Sequence, residues 1–469
     1  MGPSGVLFFR EKRFMELDMT KGSPSKLITK FIIPIIIGNI FQQLYSMVDT
    51  IIVGRFIGVD ALAAVGATGS VSFLILGFTQ GLTTGFTVLT AQRFGAGDRE
   101  GMRKSIGSAA ILSVIVTIVM TAVSMAGMDS LLRVMNTPED IFDMTKEYIM
   151  IICAGIACNV LYNLLSSILR AIGNSVVPLV LLVIASVTNI VLDYVLIVYG
   201  HMGVGGAAYA TIISQGLSGV LCLIYIIKRV PTLHIRPEHC RLESQCVKNQ
   251  LTVGIPMALQ FSITAIGTIL VQAALNLLGS TVVASYSVSC KVEQLVTQPF
   301  AAMGVTTYCA QNRGINDLNR IRKGVKAANI MSGVYAVLVY GLVYIALPYI
   351  VPLFISGQVE MVCGYARTYI TICGMFFIPL GMIFIFRNAL QGCGFGFMPM
   401  MGGVVELLSR SIVAFAAAHL MSYVGVCFAN ASAWLTAGIF LWIAYHFLMK
   451  KMVRDKKAHE ERMLAEAMQ

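Results

Sequence analysis

The sequence is poor in charge, tryptophan and proline: 12% of its 469 residues are charged, two are Trp and 13 are Pro. Soluble chains carry about 25% charged residues, so a water-facing surface proportionate to this length is excluded. Eleven cysteines, an odd number, include no CxxC pair. Neither a disulfide framework nor a zinc site is therefore indicated, and the cysteines read as small apolar fillers. No HExxH, GxSxG or paired-Asp protease motif is present and the loops are too short for a catalytic domain, so the chain is not expected to be an enzyme or to need a cofactor. Nor does any folded segment carry the basic patch that nucleic-acid binding requires.

What the chain has is hydrocarbon. Hydrophobic residues make up 57% of it, and mean hydropathy is +0.79. Twelve apolar runs are each long enough to cross about 30 Å of bilayer as a helix, near 29–51, 62–90, 106–128, 146–165, 177–199, 205–227, 249–272, 281–309, 327–349, 366–386, 400–422 and 425–449. Of 34 Lys and Arg, 28 fall in the amino terminus, the even-numbered loops and the carboxyl tail. Arg55, Arg133, Lys146 and Arg367 alone fall in odd loops, with Lys291 and Arg410 inside spans. Cytoplasmic loops retain positive charge, so both termini are expected to be cytoplasmic, in the cytoplasmic (inner) membrane. The apolar run Val6–Phe9 is too short for a signal peptide, and Met19 is an alternative start.

The chain repeats itself at an offset of roughly 220 residues. Ala91-Gln92-x-x-Gly95-x-x-Asp98 returns as Ala310-Gln311-x-x-Gly314-x-x-Asp317, each followed by a basic pair, Arg103-Lys104 and Arg322-Lys323. Leu169-x-x-x-Gly173-x-x-x-x-Pro178 returns as Leu390-x-x-x-Gly394-x-x-x-x-Pro399, Pro34 returns as Pro256, and Gly203-Val204-x-x-Ala207 as Gly425-Val426-x-x-Ala429. Six helices per copy make a parallel repeat. The expected architecture is an all-α membrane protein of twelve transmembrane helices in two pseudo-symmetric six-helix lobes. Its parts are a cytoplasmic segment 1–28, a lobe 29–228, a linker 229–248, a lobe 249–449 and a cytoplasmic tail 450–469.

The repeat also acts as a control, because features in both copies serve the fold whereas polar membrane residues in one copy need another reason. Asp49 matches about Val271, Asp193 matches Ala414 and Thr211 matches Ala433. An ionised Asp at mid-membrane costs about 2.5 to 3.5 kcal/mol on insertion scales. Asn189 and Asp193, spaced i and i+4, share one face of the fifth span, with Ser186 extending that stripe. Asp49 on the first span and Thr211 on the sixth are placed to close an oxygen-lined cavity suited to a hard cation such as Na⁺, or to H⁺. Gln42 and Tyr45, one to two turns before Asp49, are substrate-cavity candidates, and Pro34, which removes a helical hydrogen bond, is a candidate hinge. Glu406 and Arg410, also i and i+4, read as a neutralising structural pair. Lys291 and Glu293, two apart, each need another partner. The 26 Met and 24 Phe supply apolar surface able to repack around varied ligands.

Pro34, Val48-Asp49-Thr50-x-x-x-Gly54, Ala91-Gln92-x-x-Gly95-Ala96-Gly97-Asp98 and Leu169-Arg170-Ala171-x-Gly173-Asn174-x-x-x-Pro178 resemble the signature segments of the multidrug and toxic compound extrusion (MATE) family, over about residues 21–450. The resemblance implies secondary active efflux of organic cations and amphipathic drugs in exchange for H⁺ or Na⁺, by a monomer in the lipid bilayer. It is greatest to the DNA-damage-inducible (DinF-like) branch, whose first-lobe cation site falls on Asp49, Asn189, Asp193 and Thr211, and whose proline, Gln and Tyr fall on Pro34, Gln42 and Tyr45. The norfloxacin-pump branch adds a helix-seven Glu and a helix-ten Asp. Here helix seven offers Gln260, and no acid lies between Arg367 and Arg387, so a second-lobe cation site of that kind is not implied. The alternative is a lipid-linked oligosaccharide or lipid flippase of the same superfamily. It needs a deep cationic cavity, to which only Arg410, Lys291 and Arg170 are candidates.

Overall fold

A computed structural model describes residues 16–135, 137–278, 280–353 and 359–467. The Val6–Phe9 run and the first fifteen residues lie outside them. The described residues pack as two units, one of 16–19 and 29–265 and the other of 20–28 and 266–467.

In the first unit α1 (Pro24–Phe56) contributes from Thr29 onward and runs through Pro34 without interruption. It is followed by α2 (Val59–Gly95), α3 (Arg99–Val134), α4 (Glu139–Ala154), α5 (Ile156–Ala171), α6 (Val176–Tyr194) and α7 (Gly203–Arg229). The second unit holds the end of α8 (Ser244–Asn276), then α9 (Ser280–Ala302), α10 (Thr306–Gly314), α11 (Leu318–Ile350), α12 (Val359–Met375), α13 (Phe377–Gly392), α14 (Phe397–His419) and α15 (Tyr423–Ala467).

Among the described residues nine single helices are long and apolar enough to cross a membrane, and eleven spans result if two bent pairs count as one each. With α9, which has 23 residues but carries Lys291 and Glu293, the twelve expected spans are all helical. Three of them differ from simple rods. The fourth is α4 and α5 meeting at 47°, and the tenth is α12 and α13 meeting at 50°. The breaks fall at Gly155 and Phe376, matched positions of the repeat, so the bend belongs to the fold. At Gly155 a Cβ would lie 2.3 Å from Ile212 Cγ1, which reserves the site for glycine. The eighth span is also broken, between α9 and α10, where α2 of the first copy is continuous.

The repeated motifs that follow the second and eighth spans are turns. Gly97 (φ +76°) and Asn316 (φ +54°) take the left-handed conformation after a helix, the position where Gly or Asn ends helices at little steric cost. In both copies the next amide closes the same bond, Asp98 N to Arg93 O and Asp317 N to Asn312 O at 3.0 Å each. The Asp side chains then cap the following helix, Asp98 Oδ1 accepting from Gly101 N at 2.8 Å and Asp317 Oδ1 from Arg320 N at 2.9 Å. Capping by Asp satisfies a helix-start amide that otherwise lacks a partner.

Residues 244–265 of α8 belong by repeat to the second copy but pack in the first unit. Gly81 and Gly85 of α2 meet α8 so closely that a Cβ would lie 2.7 Å from Ala258 Cα or 2.4 Å from Gly254 Cα. Small residues permit such backbone approach in membrane helices. One turn earlier, the fully buried Gln250 accepts from Ser108 Oγ at 2.8 Å and donates to Ser105 O at 2.7 Å and Phe86 O at 3.3 Å.

Candidate cation site

In the first unit α1 lies along α6. At Gly38 of α1 a Cβ would sit 3.4 Å from Leu179 Cδ1 and Leu182 Cδ2 of α6, and Phe56 meets Tyr194 edge-on with ring centroids 5.7 Å apart. Between these contacts the two helices bring Asp49 and Asp193 together, their carboxyls adjoining. Asp193 is fully buried and Asn189 nearly so, at 0% and 2% exposure; Asp49 is half-buried. Both Asp193 oxygens, both polar atoms of Asn189 and Asp49 Oδ1 are buried without a hydrogen-bond partner. Burying even one such group without a partner costs about 1 to 3 kcal/mol, so this donor set is shaped for an occupant. A shared proton or an oxygen-ligated cation fits it. Ser186, expected on the same stripe, instead bonds its own helix at Leu182 O, 2.8 Å away. A π-helical turn, Val195–Tyr199, opens two residues after Asp193; such turns concentrate at functional sites.

Thr211 adjoins the Tyr148 hydroxyl, and Tyr148 lies within electrostatic range of Asp49, Asp193 and Tyr45. Tyr45 in turn adjoins Gln42 and Gln215 and lies within electrostatic range of both carboxyls. The expected cavity residues Gln42 and Tyr45 are therefore continuous with the carboxyl pair, although Gln42 itself is exposed. Tyr148 and Gln215 were not anticipated. Gln215 had a legible signal, standing four residues after Thr211 on one face of α7, whereas Tyr148 had none. Pro34 lies in α1 fifteen residues, about four turns, before Asp49.

The second unit replaces this pair with a different cluster. Glu406 does bond Arg410, Nη2 to Oε1 at 2.7 Å, but its other oxygen accepts from Arg387 Nη2 at 3.1 Å. Arg387, counted above among loop cations, lies inside α13 and is buried, because the tenth span continues past its bend to Gly392. Glu293 accepts from Tyr369, and Asn430 Nδ2 donates to the hydroxyls of Tyr369 at 3.1 Å and Tyr286 at 3.2 Å. Lys291 is exposed.

The fold is that of a transporter of two six-helix halves, and the family model MatE matches residues 34–195 and 256–416. The chain belongs to the MATE family of multidrug efflux transporters. It is 25% identical over 445 residues to the probable multidrug resistance protein YoeA of Bacillus subtilis, covering 92% of this chain and 96% of that one. It is 29% identical over 379 residues to YpnP of the same organism, covering 80% and 84%. An outward-facing MATE transporter of the MOP superfamily superposes with a TM-score of 0.87 at 24% identity, over 93% of this chain and 98% of that one.

Proposed function

We propose that this multi-pass membrane protein exports amphipathic, chiefly cationic molecules in exchange for H⁺ or Na⁺, with Asp49, Asn189, Asp193 and Thr211 as the coupling site. The observation that carries the reading is the contact of the half-buried Asp49 carboxyl with the fully buried Asp193 carboxyl, neither oxygen of which receives a hydrogen bond. Neither can hold charge there without a counter-charge, since an unpaired buried charge costs several kcal/mol. A proton or a Na⁺ entering from outside neutralises the pair; a cationic substrate reaching Tyr45 and Gln42 competes for the same negative charge. Loading and unloading thus exclude each other, which is the logic of antiport. One charge moving through 100 mV releases about 2.3 kcal/mol, enough for a gradient of roughly 50-fold. Pro34, with its missing backbone bond, is the place where α1 yields as Asp49 changes partner. Both termini lie in the cytoplasm, the working unit is a monomer, and neither cofactor nor catalysis is involved.

The test is efflux of ethidium from cells lacking their own pumps, comparing wild type with Asp193→Asn at matched membrane levels, with the H⁺ or the Na⁺ gradient collapsed in turn. Export by the wild type that one collapse abolishes, with an inactive variant, supports the reading and names the ion. An Asp193→Asn protein that still concentrates export against the gradient removes Asp193 from coupling.

A further inference from the structure

The second unit holds more buried positive charge than its hydrogen bonds satisfy. Arg387 and Arg410 are 7% and 5% exposed and divide one carboxylate, Glu406, between them. A guanidinium offers five N–H donors in a planar fork. Each arginine here spends a single Nη2 on Glu406, and Nε of both is buried without a partner. The other charged groups nearby do not complete the pairing. Glu293, which lies within electrostatic range of Arg410, is bonded to the Tyr369 hydroxyl, and Lys291 is exposed and of like sign. The guanidinium of Arg410 packs against the backbone at Gly267, where a Cβ would come within 2.8 Å of Nη1.

The repeat gives this cluster a second, independent meaning. The offset that sets Asp193 against Ala414 sets Asn189 against Arg410. The position that serves the carboxyl pair in the first unit is thus a buried cation in the second.

We infer that Arg387 and Arg410 form an oxyanion site, taking a carboxylate or phosphate group carried by an amphipathic molecule. Arginine forks recognise these groups bidentately, with charge-assisted bonds about twice as strong as neutral ones. Where the oxyanion belongs to an exported molecule, the inference extends the export reading and rests on it: the substrates include zwitterions. Where it belongs to a lipid headgroup, the site stands without that reading.

The probe is rhodamine B, which carries a carboxylate beside its cationic ring system, against its ethyl ester, which does not. Binding to the purified full chain in detergent is read by fluorescence polarisation. The wild type should bind the acid at least about tenfold more tightly than the ester, the worth of one charge-assisted contact. In Arg410→Gln and in Arg387→Lys, the latter retaining the charge opposite Glu406 but losing the fork, that preference should fall to about twofold or less, with affinity for the ester unchanged. Equal binding of acid and ester by the wild type, or a preference that survives in folded Arg387→Lys, overturns the site. Competition by dioleoylphosphatidylglycerol, measured in parallel with efflux of the two dyes, separates the sources. Preferential efflux of the acid assigns the site to substrate, and displacement by the lipid without preferential efflux assigns it to a headgroup. Ethidium efflux in the same cells reports the export reading by itself, so its failure is distinguishable from loss of the acid preference.

Discussion

Asp193 is fully buried, neither of its carboxyl oxygens receives a hydrogen bond, and the side chain it adjoins is the carboxyl of Asp49. An arrangement built only for stability would pair such groups with donors, as the second unit does at Glu406. A carboxyl pair without donors is costly to the fold until a proton or cation neutralises it.

Replacing Asp193 by Asn therefore trades activity for stability. Melting of the purified protein in ion-free detergent should show the variant more stable than wild type by about 1 to 3 kcal/mol, the cost of one unsatisfied buried group. Added Na⁺ or a drop in pH should stabilise wild type and leave the variant unmoved. A variant that melts earlier than wild type contradicts the assignment.

In the proposed coupling site Tyr148 is a positioning residue, its hydroxyl adjoining Thr211. Tyr148→Phe removes the hydroxyl beside Thr211 without emptying the space, so the threonine loses its orientation and coupling-ion affinity should fall about three- to tenfold, at about 1 kcal/mol per hydrogen bond. The half-saturating ion concentration for dye efflux should rise while the maximal rate is kept; a fall in the maximal rate alone would point to a different role.

Gln250 ties α8 to α2 and α3 through three side-chain bonds. Gln250→Leu should cost about 1 to 3 kcal/mol by leaving Ser108 unpaired inside the protein. Adding Ser108→Ala should recover part of the loss, because removing both partners is cheaper than removing one. Additive losses in the double variant would show that the two residues do not interact.

The close crossing of α2 and α8 leaves no room for side chains at Gly81 or Gly85. Gly85→Val should abolish accumulation of folded protein in the membrane, whereas Gly127→Val, where nothing lies within 4 Å of a Cβ, should be tolerated. Size-exclusion profiles of tagged protein distinguish the two.

The caps Asp98 and Asp317 should be equivalent. Each Asp→Ala change removes one cap bond worth about 1 kcal/mol, and the double variant should lose about twice that. A large difference between them would mean that one copy of the motif has a duty beyond the turn.

Much of this was legible in the sequence. The repeat was readable from motif spacing because both copies must solve the same turn, and the two membrane carboxyls stood out because a carboxylate in hydrocarbon needs a reason. Asn189 and Asp193 were joined by helical periodicity alone. Arg387 was hidden by the same hydropathy that revealed the spans: it sits where an apolar run ends, and a bend at Phe376 that no composition announces carries it inside. The bends had no single-residue signature, since glycine breaks one copy and phenylalanine the other. That residues 244–265 pack in the first unit was not readable either, because the repeat reports ancestry and packing reports contact. Tyr148 carried no sequence signal, as a tyrosine in an apolar run is as often packing as function.

A fused chain has a freedom that two identical subunits lack. In a symmetric dimer of six-helix units every substitution would appear twice, so a change from asparagine to arginine at one position would set a fixed cation beside the carboxyls of both copies at once. Joining the copies end to end lets Asn189 and Arg410 diverge under separate selection. In the proposed reading one half then keeps the coupling carboxyls while the other gains buried arginines. The opposed character of these two residues fits the division of labour proposed for the two copies.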